Sequence, residues 1–148
     1  LMKTADNPEG PLTPEAAQQM RGGLEQDRGS FFNQFTKDFF SANGVLQVTE
    51  SQRGDAITLC HQSSQPAALA CMDAFGTTDF REDLKKVTVP TLVIHGDADA
   101  IVPIEGSGQR THSAVPHSQL VRINGAPHGL NVSHAVAFND ALLSFLRA

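Results

Sequence analysis

The chain has 148 residues, 40% of them hydrophobic, which suffices for one ordinary buried core. Its formal net charge of −5, with no run of Lys and Arg, excludes a nucleic-acid surface. No apolar run is long enough to span a bilayer, and no secretory-type leader is read at the start.

Residues 1–10 are rich in Gly, Pro, Asn and Asp and predict a connecting loop; the opening Leu1-Met2-Lys3 reads as a start inside a longer chain. Thr13 before Pro14 is a helix start, because the hydroxyl caps free amides and Pro fits the first turn; this helix runs to about Leu24. Ser30 is read as the cap of a second helix. In it Phe31, Phe35 and Phe39 recur every four residues, flanked by Phe32 and Phe40, until Asn43-Gly44 ends it. That aromatic stripe either packs on neighbouring elements or lines an apolar substrate pocket. Residues 55–63 and 66–75 predict two further helices, or one kinked at Pro66. Cys60 and Cys71 have no CxxC pair or His/Cys cluster beside them, and read as reduced, partly buried thiols in a cytoplasm. Residues 1–78 are thus helical, with no convincing strand.

The mode changes at Asp79. A short polar helix over 80–86 leads to a strand over 89–94, whose Thr91, Leu92, Val93 and Ile94 do not alternate and so suit a strand covered on both faces in a parallel sheet. Residues 104–115 predict a helix weakened by Gly106 and Gly108, and residues 119–123 alternate as a strand should. From about 133 a last helix shows Ala135, Phe138, Leu142 and Phe145 at helical spacing. Residues 79–148 therefore form a β-α-β-α segment, and two strands are too few for an independent α/β sheet.

Working residues of α/β proteins gather at the carboxyl ends of parallel strands, which makes Asp97 and Asp99 candidates for chemistry. Asp99 is read either as an acid bonded to a histidine ring nitrogen or as a turn-forming Asp bonded to its own backbone. Asp97 is assigned to holding the turn. Two carboxylates so spaced also suit Mg²⁺, as in the DxDx motif of haloacid-dehalogenase-like phosphatases. That motif sets its first Asp directly on the strand end, however, and here His95-Gly96 intervenes. Among the histidines, His128 alone sits in a Gly- and Pro-bounded loop directly after a strand, in the stretch NGAPHGL. His61, His112, His117 and His134 lack that setting, and His95 is read as a structural lining of the same cavity.

VPTLVIHGDADAIVPIE, together with NGAPHGLNVSHA and a closing helix, resembles the C-terminal part of an α/β-hydrolase, in the cofactor-free chloroperoxidase, perhydrolase and arylesterase branch. LMKT, the Phe-rich helix and AFGTTDFREDLKKVTVP resemble that branch's cap and its return to the sheet. The resemblance implies an α/β fold: a helical cap over residues 1–78, then two parallel strands with flanking helices over 79–148, the C-terminal portion of the hydrolase core. It implies Asp99 as triad acid and His128 as triad base, in the chain order Ser, Asp, His. It implies no metal or cofactor, and a small ester or carboxylic-acid substrate.

The G-x-S-x-G nucleophile elbow of that fold, and the oxyanion-hole loop from an earlier strand, are not in this sequence. Ser107, in Glu105-Gly106-Ser107-Gly108, has neither the spacing nor the preceding strand. The expectation is a C-terminal fragment of a Ser-His-Asp esterase or perhydrolase, of metal-free haloperoxidase type, that supplies acid and base. It is expected to be inactive alone and to pair with a missing N-terminal half or a second copy. The alternative is a non-catalytic binding or self-association module derived from that fold, associating through an exposed strand edge.

Overall fold

The computed structural model describes residues 2–148, so Leu1, and the reading of the chain's start that includes it, lies outside the described residues. Thr13 caps α1, Pro14–Gln26, by accepting the Ala16 amide. The chain then turns at Asp27 into α2, Arg28–Phe39. Asp27, not Ser30, is the cap of α2. Its carboxylate takes both the amide and the hydroxyl of Ser30, so the expected capping oxygen is itself a donor inside the first turn.

Asn43 and Gly44 do more than end a helix. With φ of 53° and 78° they form the left-handed pair of a tight hairpin turn, joining β1, Ser41–Ala42, to β2, Val45–Leu46. The first half therefore holds a small antiparallel ladder where no strand was expected; its strands are too short to show alternation. α3, Glu50–Gln62, starts earlier than expected because Thr49 and Gln52 form a reciprocal capping box. α4, Gln65–Thr77, is a separate helix capped by Ser64, with Pro66 in its first turn, where it displaces no hydrogen bond. α1 packs against α2 and α4, and α2 against α3. Arg28 fastens α2 to the end of α3 by donating to the Cys60 carbonyl and the Ser63 hydroxyl. Both cysteines are free thiols; Cys71 is exposed rather than partly buried.

After the one-turn α5, Arg81–Leu84, comes β3, Thr91–Gly96, which pairs in parallel with β4, Ser118–Ile123, in register from Thr91 with Ser118 to Gly96 with Ile123. Val89 lies outside the strand, 64% exposed, because Pro90 has no amide to give the ladder. The expected helix over 104–115 is split at Ser107 into a 3-10 turn, Ile104–Gly106, and α6, Gly108–Ala114. Gly106 lies against the Glu9 carbonyl and Gly108 against the His95 ring, each too close for a Cβ. The expected last helix is present as α8, Ala135–Arg147, and the single turn α7, Leu130–Ser133, precedes it.

α6 and α8 both pack on β3 and β4. Ile123, Ala126 and Leu130 form a buried cluster, with Ile94, Val121 and Phe138 of α8 against it. Among the described residues β3 has β4 as its one strand neighbour. Its side chains from Thr91 to His95 are only half-buried, so the covering on both faces read from Thr91 to Ile94 is incomplete within this chain.

Candidate active site

The site is built where the turns after β3 and β4 are laced together. A Cβ on Gly96 would stand 2.1 Å from the Ala126 carbonyl oxygen, so only glycine lets the two backbones meet. The Ala98 amide donates to that same carbonyl at 3.1 Å, and the Asp97 amide to Ile123 O at 3.2 Å. Asp97 Oδ1 accepts the Gly125 amide at 2.6 Å, which gives Asp97 a turn-holding place across two loops.

This lacing brings Asp99 and His128 into contact. His128 Nδ1 lies 2.7 Å from Asp99 Oδ2. Asp99 Oδ1 accepts the Ile101 and Val102 amides at 3.0 and 2.8 Å. Both readings offered for this acid thus hold at once: it bonds its own turn with one oxygen and a histidine with the other. A ring nitrogen this close to a carboxylate carries the hydrogen, so Nδ1 donates and Nε2 bears the lone pair. No hydrogen-bond partner for that Nε2 is found among the described residues. The His128 side chain is 31% exposed and that of Asp99 only 2%, an imidazole presented to solvent with its acid buried behind it.

The helical half reaches the same spot. The Phe39 ring, at the end of α2, meets the imidazole edge-to-face with centroids 4.7 Å apart, and its carbonyl accepts the Gly129 amide at 2.9 Å. A Cβ on Gly129 would lie 2.3 Å from the Phe40 ring, so the residue after His128 must be glycine for α2 to dock. The stripe divides accordingly. Phe32 and Phe40 are buried, while Phe31, Phe35 and Phe39 form a half-buried row that ends on His128.

Burial alone would push Asp99 up, but hydrogen bonds from His128, His95 and the Val102 amide outweigh it and hold its carboxyl well below the usual carboxylate range. The hydrogen bond to Asp99 raises His95 above the ordinary imidazole value, against its burial. The depressed Asp99 gives stability that is complete above about pH 4 and wanes as pH falls toward its folded value. The raised His95 gives stability that is complete below about pH 6.5 and is lost as pH rises through its folded value. The difference in urea midpoint between the native chain and Asp99→Asn is therefore expected to be greatest between about pH 4 and 6.5. A difference that keeps growing from neutral to alkaline pH contradicts the pairing.

The remaining candidates fall elsewhere. Asp97 and Asp99 turn to different partners, so they do not present a shared face to Mg²⁺; among the described residues no group of three His, Cys, Asp or Glu could hold a metal ion. Ser107 donates its hydroxyl to Pro103 O at 2.7 Å. His61 meets the Phe32 ring, His112 the Ser118 hydroxyl, His117 the Val89 carbonyl and His134 the Ser133 hydroxyl. The sequence places His95 in this cavity and offers the Phe stripe as a pocket lining; what it does not give is the contact of Phe39 with His128 and of His95 with Asp99.

A family model for TAP-like proteins matches residues 60–148. The non-heme chloroperoxidase of Kitasatospora aureofaciens is 34% identical, in a match covering 99% of this chain and 54% of that protein. The bifunctional esterase/perhydrolase of Acinetobacter calcoaceticus is 33% identical, covering 100% of this chain and 54% of that protein. The crystal structure of bromoperoxidase from Bacillus anthracis superposes with a TM-score of 0.95 at 46% identity, again over 100% of this chain and 54% of that one. The chain spans about half the length of the relatives it matches.

Proposed function

The chain belongs to the α/β-hydrolase family, and on that premise we propose that it carries the acid and base of a serine esterase or perhydrolase of the non-heme haloperoxidase type. The observation that carries this reading is the 2.7 Å bond from His128 Nδ1 to the buried Asp99 carboxylate, with Nε2 left without a partner among the described residues. In the assembled enzyme, a serine Oγ on the other half of the fold attacks the ester carbonyl and its proton passes to His128 Nε2. Asp99 stays ionised and stabilises the imidazolium. The tetrahedral adduct expels the alcohol, which takes that proton and leaves an acyl-serine. Water or hydrogen peroxide then attacks the acyl group, again giving its proton to Nε2, and the released product is a carboxylic acid or a peracid. The serine regains its proton from the imidazolium. A peracid can pass its terminal oxygen to a halide ion and, with one proton, form a hypohalous acid and the parent carboxylic acid.

The row of Phe31, Phe35 and Phe39 that ends on the imidazole supports a small aromatic or short-chain acyl group, with the helical first half serving as cap. The open edge of β3 supports pairing with the nucleophile-bearing half. Free thiols at Cys60 and Cys71 support a cytoplasmic setting, and no helix among the described residues is long and apolar enough to cross a membrane.

Intact-mass analysis with a fluorophosphonate tests this. The chain alone is expected to take no label, whereas mixing it with a nucleophile-bearing half from a related hydrolase is expected to label that half, and His128→Ala to abolish the labelling. An adduct on this chain by itself overturns the account, and absence of label on the added half in the native mixture moves the weight to a binding or self-association module.

A further inference from the structure

We propose that His95 is a second histidine positioning the catalytic acid, donating to the same Asp99 oxygen that holds His128 and so setting how tightly the base is gripped. This inference rests on the acid and base reading above. His95 Nε2 lies 3.2 Å from Asp99 Oδ2 and 2.8 Å from the Val102 carbonyl oxygen. Both partners are acceptors, so Nε2 carries the hydrogen; it is bonded to Val102 O and has Asp99 Oδ2 within ion-pair distance. Asp99 thus accepts two amides on Oδ1 and the His128 ring on Oδ2, and the same Oδ2 faces Nε2 of His95. These groups surround a carboxylate whose side chain is 2% exposed and has little access to water.

The ring is held for this task. Gly108, at the start of α6, lies so close that a Cβ would stand 2.7 Å from His95 Nδ1. The neighbouring charges are Glu105, on the 3-10 turn, and Arg122, the cross-strand partner of His95, whose guanidinium is bonded to Gln109.

A donor shared on Oδ2 disperses negative charge that would otherwise serve His128 alone, and it fixes the oxygen's direction. Without it Asp99 turns more freely and pairs more strongly with the His128 imidazolium. In the assembled enzyme, His95→Leu is expected to move the acid limb of kcat/KM for p-nitrophenyl acetate up by about one pH unit. The same variant is expected to lower kcat about tenfold with KM little changed. His95→Gln, whose amide nitrogen reaches the place of Nε2, is expected to restore both.

A second measurement needs no variant. In the native protein labelled with ¹⁵N at its histidines, the His128 Nδ1 proton is expected to shift as His95 titrates. The inference is overturned by an unmoved limb in His95→Leu, by failure of His95→Gln to restore it, or by a His128 proton indifferent to the His95 titration. His128→Ala in the same series separates the two ideas: if it keeps full turnover, the acid and base reading itself has failed.

Discussion

His128→Ala is expected to lower ester turnover by about 10⁴-fold or more in the assembled enzyme, with KM little altered. The reason is local. Nε2 of this ring is held by a buried acid through Nδ1 and has no hydrogen-bond partner among the described residues, and alanine removes it while leaving in place the amides that fix Asp99. Asp99→Asn is expected to approach the same loss by another route. An Asn amide can donate to Nδ1, which moves the ring hydrogen to Nε2 and leaves no lone pair facing the serine. Because acid and base act as one unit, the double variant should be hardly slower than His128→Ala alone. Steady-state kinetics on the three variants decides it. Turnover within tenfold of native in His128→Ala, or losses that multiply in the double variant, would sink the pairing as a catalytic unit.

Gly96→Ala is expected to cost about 3 kcal/mol of unfolding free energy. The added methyl meets Ala126 O at 2.1 Å and Pro127 O at 2.9 Å, backbone atoms that cannot step aside as a flexible side chain would. The two turns must separate, and with them the bonds from Ala98 to Ala126 and from Asp97 to Ile123. Gly22→Ala is the matched comparison. It lies inside α1 with nothing within 4 Å of its Cβ position, so alanine there should stabilise by about 0.5–1 kcal/mol through helix propensity. Urea unfolding of the pair tests the lacing directly, and equal midpoints in the two variants would contradict it.

Much of the second half was legible because its signals are local. Thr91 to Ile94 are β-branched or large apolar residues without alternation, so β3 could be placed from sequence with an error of two residues; the expected start at Val89 overlooked that Pro90 has no amide for the ladder. Asp97, Asp99 and His128 could be brought forward because each follows a strand in a turn or loop, but it was the family resemblance that picked out Asp99 as the acid, and nothing in the spacing said that its side chain meets His128. The first half read less well. Ser30 was an acceptable cap by residue type, but Asp27 offers two carboxylate oxygens one turn earlier, and a carboxylate outcompetes a hydroxyl for free amides near a helix start. The hairpin at Asn43-Gly44 carries a strong two-residue turn signal, the same dipeptide that recurs at Asn124-Gly125. It was absorbed into the end of a helix because β1 and β2 are too brief for periodicity to register.

The hydrogen bond from the Gly129 amide to the Phe39 carbonyl ties the base to α2 by backbone as well as by ring contact. An excursion of α2 away from the sheet must break that bond and strip the imidazole of its aromatic wall in the same event. A sub-global opening of the helical half, which costs less than unfolding the whole chain, is therefore expected to disable the site. Deuterium uptake at the single Gly129 amide counts those openings, and conditions that loosen α2 should idle the site while β3 and β4 remain paired.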